Sequence, residues 1–235
     1  MDVRLAYSQS GTGETLILLH GNGEDRSYFV HQIPAFSQHF CVIAVDTRGH
    51  GQSPRGGAPF TLEQFALDLR DFMDEHGIQR AHILGFSDGA NIAMLFAMRF
   101  PQRVNRLILN AGNLHPWGVR ARDQLPIVIG YALCALIAKV DSKAIPKREL
   151  LGLMVNQPHI QPAQLSQIGA PTLVIAGTDD MVRLNETRRI AESIPNAQLT
   201  ILKGDHFLAN KNPKAFNEAV LQFLRGDWFV YKGRN

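Results

Sequence analysis

The segment Gly85-Phe86-Ser87-Asp88-Gly89 constrains this chain more than any other, because it joins the apolar run 81–84 directly to a run of helix formers, 90–100. A strand that turns this sharply into a helix forces the intervening serine into a strained backbone conformation. Glycines two residues to either side avoid the clashes that side chains would cause there. Ser87 is thereby lifted clear of the sheet. The same turn sets the amide of Asp88 at a helix N-terminus, where unpaired N–H groups and the helix dipole favour negative charge beside the serine oxygen. A G-x-S-x-G string alone arises by chance in loops, and a plain Gly-rich turn is the alternative. The flanking strand and helix make this one a nucleophile elbow.

The elbow sits in a regular alternation. Strand-like segments at 16–20, 41–46, 81–85, 105–112, 172–177 and 197–204 are separated by helix-like ones, the pattern of an α/β fold. The strands are nearly continuous apolar runs, as expected of a mostly parallel central sheet covered by helices on both faces. The helix after Thr61 has the clearest periodicity. Leu62, Phe65, Ala66, Leu69, Phe72 and Met73 fall on one face, and Glu63, Asp68, Arg70, Asp71 and Asp74 on the other. Thr61 and Gln64 form a candidate capping box, and Gly77 can end the helix in the left-handed conformation.

About sixty residues between Gly112 and Thr172 depart from the alternation, so a short helical lid is expected at approximately 113–165 within a single domain spanning 1–235. Two helices are expected there, one in LPIVIGYALCALIAKV and one over 144–155. The first is apolar almost all round. Such helices are usually buried; it either packs on the domain or lines an apolar pocket with its inner face.

Lys and Arg are interspersed with Asp and Glu for a formal net charge of +3, which gives no nucleic-acid footprint. Cys41 and Cys134 both lie in apolar surroundings and read as buried small hydrophobes rather than a disulfide. A cytoplasmic location fits. No secretory h-region opens the sequence, and the longest apolar stretch, 125–140, is short for a bilayer span.

A serine hydroxyl needs a base to take its proton, and an imidazole base needs a carboxylate on its far nitrogen. His206 follows the strand AQLTILK, and Asp179 and Asp180 follow TLVIAG, so both loops leave strands at the same edge as Ser87. Asp205 is a third candidate acid. His31, His39, His76, His82, His115 and His159 read as surface, helix-end or lid residues. The loop His20-Gly21-Asn22-Gly23 offers the amide of Asn22 as a second oxyanion donor beside that of Asp88, with His20 ordering the loop.

Together LILLHGNG, the turn Asp46-Thr47-Arg48-Gly49-His50-Gly51-Gln52-Ser53, GFSDG, PTLVIAGTDD and GDHF resemble the α/β-hydrolase superfamily, and within it the serine carboxylesterase and valacyclovir-hydrolase-like branch with a reduced lid. The resemblance spans nearly the whole chain. It implies an α/β-hydrolase fold, selects Asp180 as the acid, and gives Arg48, His50 and Ser53 structural roles. It also implies a carboxylic ester of a small molecule as substrate, an acyl-enzyme, and no metal or organic cofactor. Thioester hydrolysis, C–C bond hydrolysis, perhydrolysis, lyase chemistry and a non-enzymatic ligand sensor share the scaffold. Asp88 carries two readings: a favourable helix N-terminal charge, or a carboxylate that attracts a cationic group on the substrate.

Overall fold

The computed structural model describes residues 2–226. Seven strands form one sheet: β1 (Tyr7–Ser10), β2 (Thr15–Leu19), β3 (Cys41–Val45), β4 (Ala81–Phe86), β5 (Val104–Asn110), β6 (Thr172–Gly177) and β7 (Ala197–Leu202). Their order is β1-β3-β2-β4-β5-β6-β7. β1 is antiparallel to β3 and every other pairing is parallel.

Helices cover both faces, in chain order α1 (Gln32–Phe36), α2 (Leu62–Glu75), α3 (Asp88–Arg99), α4 (Ala121–Ile137), α5 (Ile145–Asn156), α6 (Leu184–Ser193), α7 (Leu208–Lys211) and α8 (Pro213–Arg225). Successive strand residues point to opposite faces, so each apolar run feeds two cores. Ile17, Leu19, Ile43, Ile83 and Leu107 pack with α2, α3 and α6. Leu16, Leu18, Val42, Leu84 and Ile108 pack with α1, α7 and α8. Each fully buried Leu, Ile or Phe contributes roughly 1.5–3 kcal/mol, and that burial holds the strand ends in register around the site.

Four local expectations are revised. Thr61 accepts from the Gln64 amide at 3.1 Å, but the Gln64 side chain donates onward to Asp68 instead of closing the box. Asp68, placed on the polar face of α2, is buried because it receives Arg48 at 2.7 and 2.6 Å. His82 is no surface residue: it lies inside β4 and contacts the Glu14 carboxylate at 3.0 Å. Cys41 and Cys134 are free and only half-buried. Gly77 does adopt φ +66 and ends α2 as expected.

Between β5 and β6, α4 and α5 pack against each other. Gln124 is the one fully buried side chain of α4; Leu125, Ile129, Leu133, Leu136 and Ile137 of this helix face solvent. Fully apolar sequence therefore did not translate into burial here. Among the described residues no helix is long and apolar enough to cross a membrane.

Candidate active site

Ser87 stands at the junction of β4 and α3 with φ +54, in a region L-residues rarely adopt. Its amide is fixed by the Asn110 carbonyl at 2.9 Å. A Cβ at position 85 would lie 2.2 Å from the Gly89 carbonyl oxygen, and one at 89 would lie 2.1 Å from that of Leu19. The two glycines let strand, helix and the neighbouring strand close on one point.

Parallel pairing then delivers the partners. β6 and β7 end side by side, with Gly177 opposite Leu202, and the loops that follow touch: the Asp179 amide donates to the Gly204 carbonyl at 2.9 Å. A Cβ at 177 would meet Gly204 O at 2.4 Å, so a glycine there is what allows the approach. Asp180 and His206 result as a buried pair, with Oδ1 of Asp180 2.7 Å from Nδ1 of His206. On the other side of the ring, Nε2 lies 3.1 Å from Oγ of Ser87. The same Asp180 oxygen accepts the Val182 amide at 2.9 Å, which fixes the carboxylate plane. Asp179 is exposed, and Asp205 pairs with Lys211 instead of His206.

The loop after β2 meets the elbow because β2 pairs with β4, Leu19 opposite Gly85. Nδ1 of His20 donates to the Gly21 carbonyl at 2.7 Å, and Nε2 accepts from the Thr47 amide at 3.0 Å. Burial, first, and the neighbouring His50 lower its pKa to about 4, so the ring is a neutral tie between two loops. Nδ2 of Asn22 donates to the Asp88 carboxylate and to the Leu150 carbonyl, both at 2.9 Å. Asp88 is the first residue of α3, so its amide lacks an intrahelical acceptor. Asn22, Ser87, Asp88 and His206 line one cavity of about 310 Å³.

Asp88 also receives Asn91 at 3.3 Å. Burial raises its pKa, and the two amide donors counter that rise. The D-x-R-G-x-G-x-S turn is a brace: Asp46 accepts the amides of Arg26 and Gln52 and the Arg26 guanidinium, while Ser53 donates to the Asp46 carbonyl at 2.7 Å.

Several wall residues escaped the sequence reading. Val119, Ile127, Met154 and Val182 form an apolar side, with Ile127 from α4 and Met154 from α5. Glu24 forms part of the polar side, and desolvation raises its pKa to about 7 against the Gly21 amide and His206, which lower it. Its signal was an acid two residues past Asn22 in a glycine-rich loop, indistinguishable in sequence from a solvated charge.

Residues 14–132 match a family model described as the alpha/beta hydrolase fold. A RutD protein of Caulobacter sp. (strain K31), named provisionally for carbamate hydrolysis, is 30% identical, the alignment covering 91% of each chain. 3-Oxoadipate enol-lactonase 2 of Acinetobacter baylyi is 29% identical over 93% of this chain and 92% of its own. The crystal structure of the enol-lactonase from Burkholderia xenovorans LB400 superposes with a TM-score of 0.76 at 25% identity, covering 95% of this chain and 97% of that one. With a sheet of this order, a serine on a strained elbow, and relatives aligned over nearly their full length, the chain belongs to the alpha/beta hydrolase fold family.

Proposed function

We propose that this hydrolase cleaves a carboxylic ester of a small molecule through an acyl-enzyme. The observation that carries the reading is the unbroken contact from Asp180 through His206 to Ser87 at the base of the cavity. In it, Nε2 of His206 takes the Ser87 proton as Oγ attacks the carbonyl, then returns it to the departing alcohol. Asp180 holds the ring in the Nδ1–H tautomer and stabilises it when charged. The amides of Asn22 and Asp88 receive the oxyanion, each typically worth about 3 kcal/mol. Water admitted after the alcohol departs is activated by the same imidazole and frees Ser87. None of these steps calls on a metal or organic cofactor.

The chain is read as one domain over 1–235, with 113–165 as a lid whose α4 and α5 present Ile127 and Met154 to the acyl or alcohol group. Two relatives named as enol-lactonases support an ester, and relatives named for carbamate and meta-cleavage-product hydrolysis make those bonds the alternatives to test. The free cysteines suit a reducing cytoplasm. Asp88 is read as structural: its oxygens are taken by Asn22 and Asn91, and it ties the oxyanion loop to α3. An α-amino ester and its uncharged isostere should therefore be hydrolysed at similar rates.

A panel of short-chain esters and lactones, an acyl-CoA, a carbamate and a vinylogous diketone, run on wild type and Ser87→Ala, tests the reading. Ester or lactone turnover that disappears in a folded Ser87→Ala supports it. Preferential cleavage of the thioester, carbamate or diketone overturns the ester assignment, and retained turnover in Ser87→Ala overturns the nucleophile.

A further inference from the structure

The solvent side of α4 is apolar where a surface helix is ordinarily polar. Leu125, Ile129, Leu133, Leu136, Ile137 and Val140 recur at helical spacing and are 49–89% exposed. The five within α4 make one stripe about 18 Å long, extended by Val140 in the turn that follows, and no charged residue falls between Asp123 and Lys139. Contiguous exposed apolar surface of this kind marks a docking site.

Charge is confined to the two ends. Arg122 is exposed in the first turn, and Lys139, Lys143 and Lys147 are exposed beyond the last. Two of the three nearby acids are paired, Asp123 with Arg122 at 3.4 Å and Glu149 with Arg55 at 2.6 Å; Asp141 caps the Lys143 amide at 2.9 Å and keeps its charge, so the excess of positive charge lies at the lysine end. Residues 120–156 hold six basic and three acidic side chains, so the formal +3 of the whole chain resides in this segment.

That distribution discriminates among occupants. A parallel second copy laid on the stripe would set lysine on lysine and meet like charge, and an antiparallel one would bring the neutral Arg122–Asp123 pair against the lysine end, leaving the lysines without a counter-charge. Gly226, the last described residue, lies beside Arg106 in the first half of β5, at the opposite end of the strands from Ser87 and the α4–α5 pair. An anionic lipid surface complements both the apolar stripe and its lysine end.

We infer that α4 docks this protein on anionic membranes, lying in the interface with its outer side chains among acyl chains and the lysines beyond its last turn on headgroup phosphates. Its inner side still lines the cavity through Gln124 and Ile127. The inference stands apart from the ester reading, and its test uses no activity.

Flotation of the full chain with vesicles of phosphatidylcholine alone, and of phosphatidylcholine mixed equally with phosphatidylglycerol, provides the test. Wild type should float with the mixed vesicles at low salt and remain below with the neutral ones. Lys139→Glu with Lys143→Glu should weaken binding roughly tenfold or more, and Ile129→Glu with Leu133→Glu should abolish it while circular dichroism stays native. Failure of wild type to float with the mixed vesicles, or equal flotation with both compositions, would overturn the inference. So would retained binding in the glutamate variants. A concentration-dependent dimer removed by Leu133→Glu, without vesicle binding, would assign the face to a second copy.

Discussion

Glu24 allows an electrostatic prediction with a definite sign. Its carboxylate accepts the Gly21 amide at 3.1 Å at the cavity wall, and desolvation raises its pKa from the ordinary 4.5 to about 7. The folded state therefore holds this proton more tightly than the unfolded one does. Below pH 4.5 both states are protonated and Glu24 costs nothing. Between 4.5 and 7 the unfolded state releases the proton first, and stability falls; above 7 the loss is complete. Each pH unit of that interval is worth about 1.4 kcal/mol, or roughly 3 kcal/mol in all. Because Glu24 is only half-buried, screening by water at the cavity mouth reduces the expected loss to about 1–2 kcal/mol. Glu24→Gln keeps an acceptor for Gly21 and never ionises. Urea unfolding of both proteins at pH 4.5 and pH 8 should show the variant gaining about 1–2 kcal/mol on wild type between the two conditions. A difference that stays constant with pH would refute the reasoning.

Three further outcomes follow from the geometry. Asp180→Asn keeps an acceptor for the Val182 amide but removes the charge 2.7 Å from His206, so ester kcat should fall by about 10⁴-fold with Tm nearly unchanged; a loss below tenfold would contradict the assigned role. Arg48→Met strands the buried Asp68 carboxylate, and urea unfolding should register a loss of about 3–5 kcal/mol, against which a loss under about 1 kcal/mol would count. Gly89→Ala forces a Cβ to 2.1 Å from the Leu19 carbonyl oxygen, a backbone clash that should cost about 3 kcal/mol, the upper end for overpacking; a variant with wild-type Tm would show the elbow to be looser than described.

The elbow and the parallel strands could be read from sequence because their causes are local. Two glycines and a serine at fixed spacing admit few backbone solutions, and an apolar run covered on both faces looks the same in sequence as in space. β1 could not be read this way. Its residues Tyr7–Ser10 are all exposed, and it is held at the sheet edge by antiparallel pairing with β3, which leaves no apolar alternation. Asp68 matched the polar face of α2 by periodicity, and only the fold brings Arg48, twenty residues earlier, to make its burial favourable. Choosing Asp180 over Asp179 and Asp205 required the family pattern, because three nearby carboxylates cannot be ranked without knowing how the loops after β6 and β7 meet. The exposure of α4 was hidden for a different reason: apolar content predicts burial only where some neighbour covers the face, and sequence does not say what that neighbour is.

Reaction with a fluorophosphonate, followed by peptide mapping of the adduct, interrogates the serine at the heart of this account. A single stoichiometric adduct on the peptide carrying Ser87, lost in Ser87→Ala and slowed in a folded His206→Ala, is the predicted result. An active preparation that takes no label, or takes it on another residue while Ser87 stays unmodified, would contradict it.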